Sequence, residues 1–153
     1  MGNLKLTSSA FSHGEEIPRK CGYKNGNKVP PLTISGIPEG TKSLALVMDD
    51  PDAMGAVGKV WVHWIVWNMD PTIAEIGENL RDILSVAVEG ITDFGEMGYG
   101  GPAPPDKRHT YVFKLYALDS ELDLPDKSTK ADVEKAMEGH IIEQTTLTGT
   151  YAP

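Results

Sequence analysis

VWVHWIVW, residues 60–67, is an eight-residue run in which seven residues are β-branched or aromatic and the only ionisable side chain is His63. Such residues suit the pleated, packed surface of a β-sheet and predict a strand. Side chains alternate along a strand, so Trp61, His63, Ile65 and Trp67 are expected on one face and Val60, Val62, Trp64 and Val66 on the other. Both sets are apolar, which places the strand in the middle of a sheet with both faces covered.

Two further largely apolar segments, 43–48 and 111–118, bounded by Asp, Pro or Gly, are also read as strands. Between them lie the turn-rich stretches GYKNGNKVPP (22–31) and MGYGGPAPP (97–105). Near the C-terminus, Thr129 followed by Asp132 resembles a capping box with Asp in place of Glu, and Val133 and Met137 are one helical turn apart. This predicts a helix over 130–138, with Gly139 as its C-terminal cap and His140 facing the negative end of its dipole. Residues 141–151, rich in Thr and Ile, are expected to close the fold as a last strand.

The 153 residues fit a single domain spanning 1–153, with no internal repeat or linker to divide it. With 40% hydrophobic and 24% charged residues, the chain is expected to be globular and to fold without a cofactor. Its 14 basic against 22 acidic residues leave a formal charge of −8, which repels a phosphodiester backbone, and Lys107-Arg108 is too small a basic cluster to reverse that. Nucleic acid is therefore not an expected partner. No apolar run approaches the ~20 residues needed to span a bilayer, the N-terminus lacks a signal-peptide layout, and Cys21 is the only cysteine. A cytoplasmic protein without disulfides is expected. A homodimer is compatible with this size, but no sequence feature demands one.

Three places can carry chemistry. DDPDAM (49–54) follows an apolar strand and either ends it as a turn or sets carboxylates at the mouth of a pocket. His63 is either a core histidine held by one hydrogen bond or a ligand-facing group. In GGPAPPDKRHTY (100–111), glycine permits close approach of backbone N–H groups to an anion and proline stiffens the loop that delivers His109 and Tyr111; an ordinary rigid connection has the same composition.

DDPDAM, WVHWIVWNM and GYGGPAPPDKRHTYVFKLYALD resemble, in order and spacing, the phosphatidylethanolamine-binding family, whose bacterial and archaeal branch is often labelled Raf-kinase-inhibitor-like. The resemblance extends through SSAF, the IPRKCGYKNGNKVPPLTISGIPEGTKSLALV stretch and the terminal LTGTY. It implies a mainly β fold, a sandwich of mostly antiparallel strands with a few peripheral helices and a pocket at one end of the large sheet. It also implies a binding protein for phosphate-like anions or a phosphoethanolamine headgroup, with kinases or proteases as protein partners. Carried across residue by residue, the ligand-binding positions are Asp50, Asp52, Trp61, His63, Gly101, Pro102, His109 and Tyr111. Met54 replaces the last proline of the DPDAP-like motif, putting a flexible apolar side chain at the rim. The chain ends soon after LTGTY, without the long C-terminal extension of the animal members, so their signalling roles are not expected to carry over.

His63, His109 and loop N–H groups are the expected anion donors, with affinity falling as pH rises and the imidazoles lose their protons. Asp50 is expected to accept a hydrogen bond from a histidine or to meet the ammonium of a zwitterion. The alternative is a small hydrolase or metal enzyme built on the same Asp/His/His set. Neither a GxSxG nor an HExxH motif is present to favour it.

Overall fold

The structure, a computed structural model, describes residues 2–77 and 79–153. Its elements are β1 (Lys5–Thr7), β2 (Leu32–Ser35), β3 (Ser43–Asp50), α1 (Ala53–Val57), β4 (Trp61–Met69), β5 (Glu75–Ile76), α2 (Leu80–Ile83), β6 (Val88–Glu89), β7 (His109–Leu118), α3 (Lys130–Met137) and β8 (Ile141–Tyr151). Five strands form a large antiparallel sheet in the order β6-β4-β3-β7-β8, and three short strands form a second in the order β1-β2-β5. The three strong sequence segments are the three central strands of the large sheet. All eight residues of β3 are buried, because strands flank it on both edges and packed layers cover both faces.

The faces divide the core in two. Leu46, Met48, Trp64, Val66, Phe113 and Leu115 pack toward the small sheet with Leu6, Leu32, Ile34 and Ile76. On the opposite face Val47, Ile65, Trp67, Tyr116 and Leu118 meet Val133 and Met137 of α3. Each such side chain removed from water contributes ~1.5–3 kcal/mol, which makes this burial the main stabilising term. No helix among the described residues is long and apolar enough to cross a membrane.

The alternation expected for 60–67 is broken by a β-bulge. Met48 pairs with Trp64, but its neighbour Asp49 pairs with Val62, leaving His63 as an extra residue without an opposite number. Trp61 and His63 therefore share a face with Trp64 and Val66, while Ile65 and Trp67 lie on the other side with α3. Strict alternation had put Trp61, His63, Ile65 and Trp67 together. A bulge depends on the partner strand, which a single segment does not reveal.

Near the C-terminus, Thr129 Oγ1 accepts from the Asp132 N–H while the Asp132 carboxylate accepts from the Thr129 N–H, so α3 begins with the expected capping box. The helix ends one residue earlier than expected, at Met137, and Gly139 follows at φ +80°, a left-handed conformation that glycine adopts without strain. His140 differs from expectation. Its backbone N–H bonds the Met137 carbonyl, but its ring pairs with Asp119 at 2.8 Å, a nearer and fuller charge than the helix end.

Candidate functional site

β3 lies between β4 and β7, antiparallel to both, so it ends at the same end of the large sheet where β4 and β7 start. This register brings Asp50, Trp61 and His109 together although up to 59 residues separate them. DDPDAM does two things at once: Asp49 and Asp50 finish β3, and the chain then turns through Pro51 and Asp52 into α1. The turn is held by the Asp52 N–H, which donates to Asp50 Oδ1 at 2.9 Å. Asp52 in turn accepts from the Thr110 N–H at 2.8 Å, clasping the turn to β7.

The result is a cavity of about 190 Å³ lined by Asp50, Trp61, His63 and His109, with Ala53, Ala56 and Val57 of α1, Phe94, and Ala103 and Pro105 of the Pro-rich loop. Four of the eight positions expected from the sequence line it, and four stand behind it. Asp52 is the exposed clasp just described. Tyr111 is fully buried behind the histidines, its ring edge-on to His63 at 5.1 Å. Gly101 and Pro102 anchor the loop: a Cβ at Gly101 would collide with the Cys21 carbonyl oxygen, and the Pro102 carbonyl accepts from the Tyr23 N–H at 2.9 Å. Met54, expected at the rim, is exposed on α1, whose Ala53, Ala56 and Val57 line the cavity while Met54 does not.

The two histidines have opposite electrostatic settings. His63 Nδ1 lies 2.6 Å from the Gly100 carbonyl oxygen, which can only accept, so Nδ1 carries the proton. Burial lowers the pKa of this ring below the ordinary histidine value, and the Gly100 carbonyl and nearby Asp50 offset this only in part. His63 is thus neutral near pH 7. Its Nε2, without a hydrogen-bond partner among the described residues, is the nitrogen left for a ligand.

His109 is held at both ring nitrogens. Nδ1 donates to Asp50 Oδ2 at 2.7 Å and Nε2 donates to Asp106 Oδ1 at 2.8 Å. Its side chain is inaccessible to water, and burial alone would depress its pKa, but the two carboxylates outweigh burial and raise it. The imidazolium form is favoured, and the same bond holds Asp106 below the usual carboxylate range. Tyr111 backs this wall: burial, reinforced by the Asp50 charge, pushes its phenol far above its ordinary value, and its hydroxyl has no well-formed hydrogen bond. Trp61 Nε1 is likewise buried without a partner.

This arrangement corrects the expected donor set. The Gly100 N–H bonds the His63 carbonyl and the Gly101 N–H bonds Asn27 Oδ1 at 2.7 Å, while prolines 102, 104 and 105 have no N–H. The Gly100 and Gly101 N–H groups expected to cradle an anion are committed to holding the loop, which leaves Ala103 as the loop residue with an N–H on the cavity lining, and both His109 nitrogens are committed to carboxylates. Sequence reasoning also passed over Asp106, Phe94 and Asn27. Asp106 lies three residues before His109 within the quoted loop, and this spacing was its only signal. Phe94 stacks on Tyr23 at 4.2 Å and stands edge-on to Trp61 and His63; no local pattern marks it. Among the described residues, no group of three His, Cys, Asp or Glu side chains is placed to hold a metal ion.

The family model for phosphatidylethanolamine-binding proteins matches residues 7–152. The chain belongs to that family. Among its relatives, a UPF0098 protein of Chlamydia muridarum is 43% identical over 150 residues, covering 97% of this chain and 98% of its own length. A UPF0098 protein of Methanothermobacter thermautotrophicus is 42% identical over 151 residues, with the same two coverages. Solved structures repeat the fold across nearly the whole chain. A phosphatidylethanolamine-binding protein homolog from Chlamydia trachomatis superposes with a TM-score of 0.90 at 40% identity, covering 99% of this chain and 98% of that one. Escherichia coli YbcL, described as a member of the mammalian PEBP family, gives 0.88 at 35% identity and 98% of both chains. The mainly β, antiparallel, sandwich-like fold expected from the resemblance is the fold these proteins share.

Proposed function

We propose that this protein is a binding protein whose cavity takes a small phosphoryl group, either free phosphate or the headgroup end of a phosphoethanolamine-type ligand. The observation that carries this reading is His63: a buried ring, oriented by Gly100, with a free Nε2 on the cavity wall. A neutral Nε2 accepts a hydrogen bond from the P–OH of a phosphoryl monoanion, and a protonated Nε2 donates to the dianion. In both descriptions one proton lies between ring and ligand. The cavity, at about 190 Å³, is smaller than the ~300–1,000 Å³ usual for drug-sized ligands and suits a headgroup. Its apolar walls strengthen each polar contact inside.

Membership of a family named for phosphatidylethanolamine binding supports the zwitterionic form of this ligand. The ammonium end has Asp50 available as a counter-charge and the faces of Trp61 and Phe94 as neighbours. The alternative of an enzyme on the same residues needs a histidine free to exchange protons alongside a nucleophile or metal, and His109 is tied at both nitrogens.

The test is a two-dimensional NMR titration with inorganic phosphate and O-phosphorylethanolamine, comparing wild type with His63→Ala. Saturable shifts around Asp50, His63 and the loop carrying Ala103 and Pro105 are expected, and they should vanish in the variant. Above the second phosphoryl pKa of about 6 and the depressed pKa of His63, the complex must take up one proton. The dissociation constant should then rise by up to about tenfold per pH unit between pH 7 and 8. Identical shifts in His63→Ala, or a flat profile over that range, would overturn the reading.

A further inference from the structure

We propose that Asp106 sets which phosphoryl ligands the cavity accepts, by holding a carboxylate charge on the His109 ring that lines it. This rests on the phosphoryl reading above and assigns the selectivity of that same site.

The two carboxylates on His109 are not equivalent. Asp50 belongs to β3, its side chain is 4% exposed, and its second oxygen is fixed by the Asp52 N–H. Asp106 stands on the bend after Pro104 and Pro105, and its side chain is 44% exposed. Both Asp106 contacts, from His109 Nε2 and from the Lys107 N–H at 2.9 Å, fall on the single oxygen Oδ1. Asp50 is part of the fold, whereas Asp106 is a carboxylate docked from outside onto an imidazolium. Its chain neighbour Pro105 and its partner His109 both line the cavity.

For an incoming phosphate anion, Asp106 is a like charge held against a ring of the cavity lining. Among the nearby cations, Arg108 reaches Glu16 and Thr150, Lys59 pairs with Asp93, and exposed Lys107 meets Asp106 through its backbone N–H and not through its ammonium. A zwitterion meets the same carboxylate differently, because its ammonium gains a counter-charge where phosphate meets repulsion. Asp106 therefore favours ligands that carry a cationic group beside the phosphoryl group.

The test is Asp106→Asn, in which the amide oxygen still accepts from Nε2 and only the charge is lost. Dissociation constants for inorganic phosphate and O-phosphorylethanolamine are measured by NMR titration of the His63 ring signals at pH 6.5 and low salt. Loss of one partly screened like charge should tighten phosphate binding about fivefold or more, while O-phosphorylethanolamine is unchanged or weaker. The ratio of the two affinities should then shift toward phosphate by at least about fivefold. Binding of both ligands to both proteins with an unchanged ratio overturns the role of Asp106 and leaves the phosphoryl site standing. Equal tightening of both ligands also overturns it, because the charge then acts without selecting. If neither ligand perturbs His63 in either protein, the phosphoryl reading falls and this inference falls with it.

Discussion

The Asp50–His109 pair is a buried charge pair whose worth can be read by a double-mutant cycle of Asp50→Asn and His109→Ala. The two side chains are 4% and 0% exposed and their atoms are 2.7 Å apart. At an effective dielectric constant of ~20, two unit charges at that distance attract by about 6 kcal/mol. Water entering the vacated site, and the hydrogen bond that the new amide oxygen of Asp50→Asn still accepts, reduce what the cycle reads to about 2–4 kcal/mol. His109→Ala alone should cost about 3–5 kcal/mol, because it leaves Asp50 buried with only the Asp52 N–H as a partner. The coupling is tied to pH with a definite sign. The folded pKa of His109 is raised above its unfolded value of ~6.5, so the coupling is fully present below about pH 6.5 and is lost as pH rises through the folded value. Urea unfolding of the four proteins at pH 6 and pH 9 measures it, provided the m-values agree. A coupling below about 1 kcal/mol at pH 6, or one unchanged at pH 9, would refute the assignment of a buried imidazolium–carboxylate pair.

Asn27→Ala removes the side chain that bridges the Gly101 N–H and the Tyr99 carbonyl, at a position with φ +52°; it should lower stability by about 2–3 kcal/mol and weaken phosphoryl binding by loosening the loop that orients His63, both measurable on one protein sample. Gly101→Ala should be more damaging than other glycine replacements in the same loop, by about 2 kcal/mol or more, because the new Cβ meets backbone at Cys21 and Tyr23 instead of a flexible side chain; thermal unfolding reads this directly. Thr129→Ala removes one half of the α3 capping box and should cost about 1 kcal/mol while leaving phosphate affinity unchanged, since α3 packs on the sheet face away from the cavity.

What was legible in the sequence follows from how local each signal is. The strands at 60–67 and 111–118 announce themselves through β-branched and aromatic residues, the strand at 43–48 through an apolar run ended by Asp49-Asp50-Pro51, and the start of α3 through Thr129 and Asp132. The short strands β1, β2, β5 and β6 have two to four residues and are defined by their partners, so no local pattern predicted them. At the site, the motifs located Asp50, Trp61, His63 and His109, which do line the cavity. They did not say which atoms remain free. That depended on Asp106 meeting His109 three residues later, on Asn27 reaching across 74 residues to Gly101, and on the Gly100 carbonyl accepting a hydrogen bond from His63 Nδ1–H.

The bulge at His63 gives the site a particular relation to the scaffold. If His63 were deleted, Val62 would be followed directly by Trp64, and the pairings of Asp49 with Val62 and Met48 with Trp64 would fall into one unbroken register. Every large core side chain of β4 would keep its place, and the only thing removed would be the imidazole that faces the cavity. The binding proposed above thus rests on a residue supernumerary to the sheet, and the length of this strand, more than its composition, is what puts an imidazole on the cavity wall. A single-codon deletion at this point should yield a well-folded protein without the proposed phosphoryl binding, whereas removing Trp64 in its place would move His63 into the core position opposite Met48.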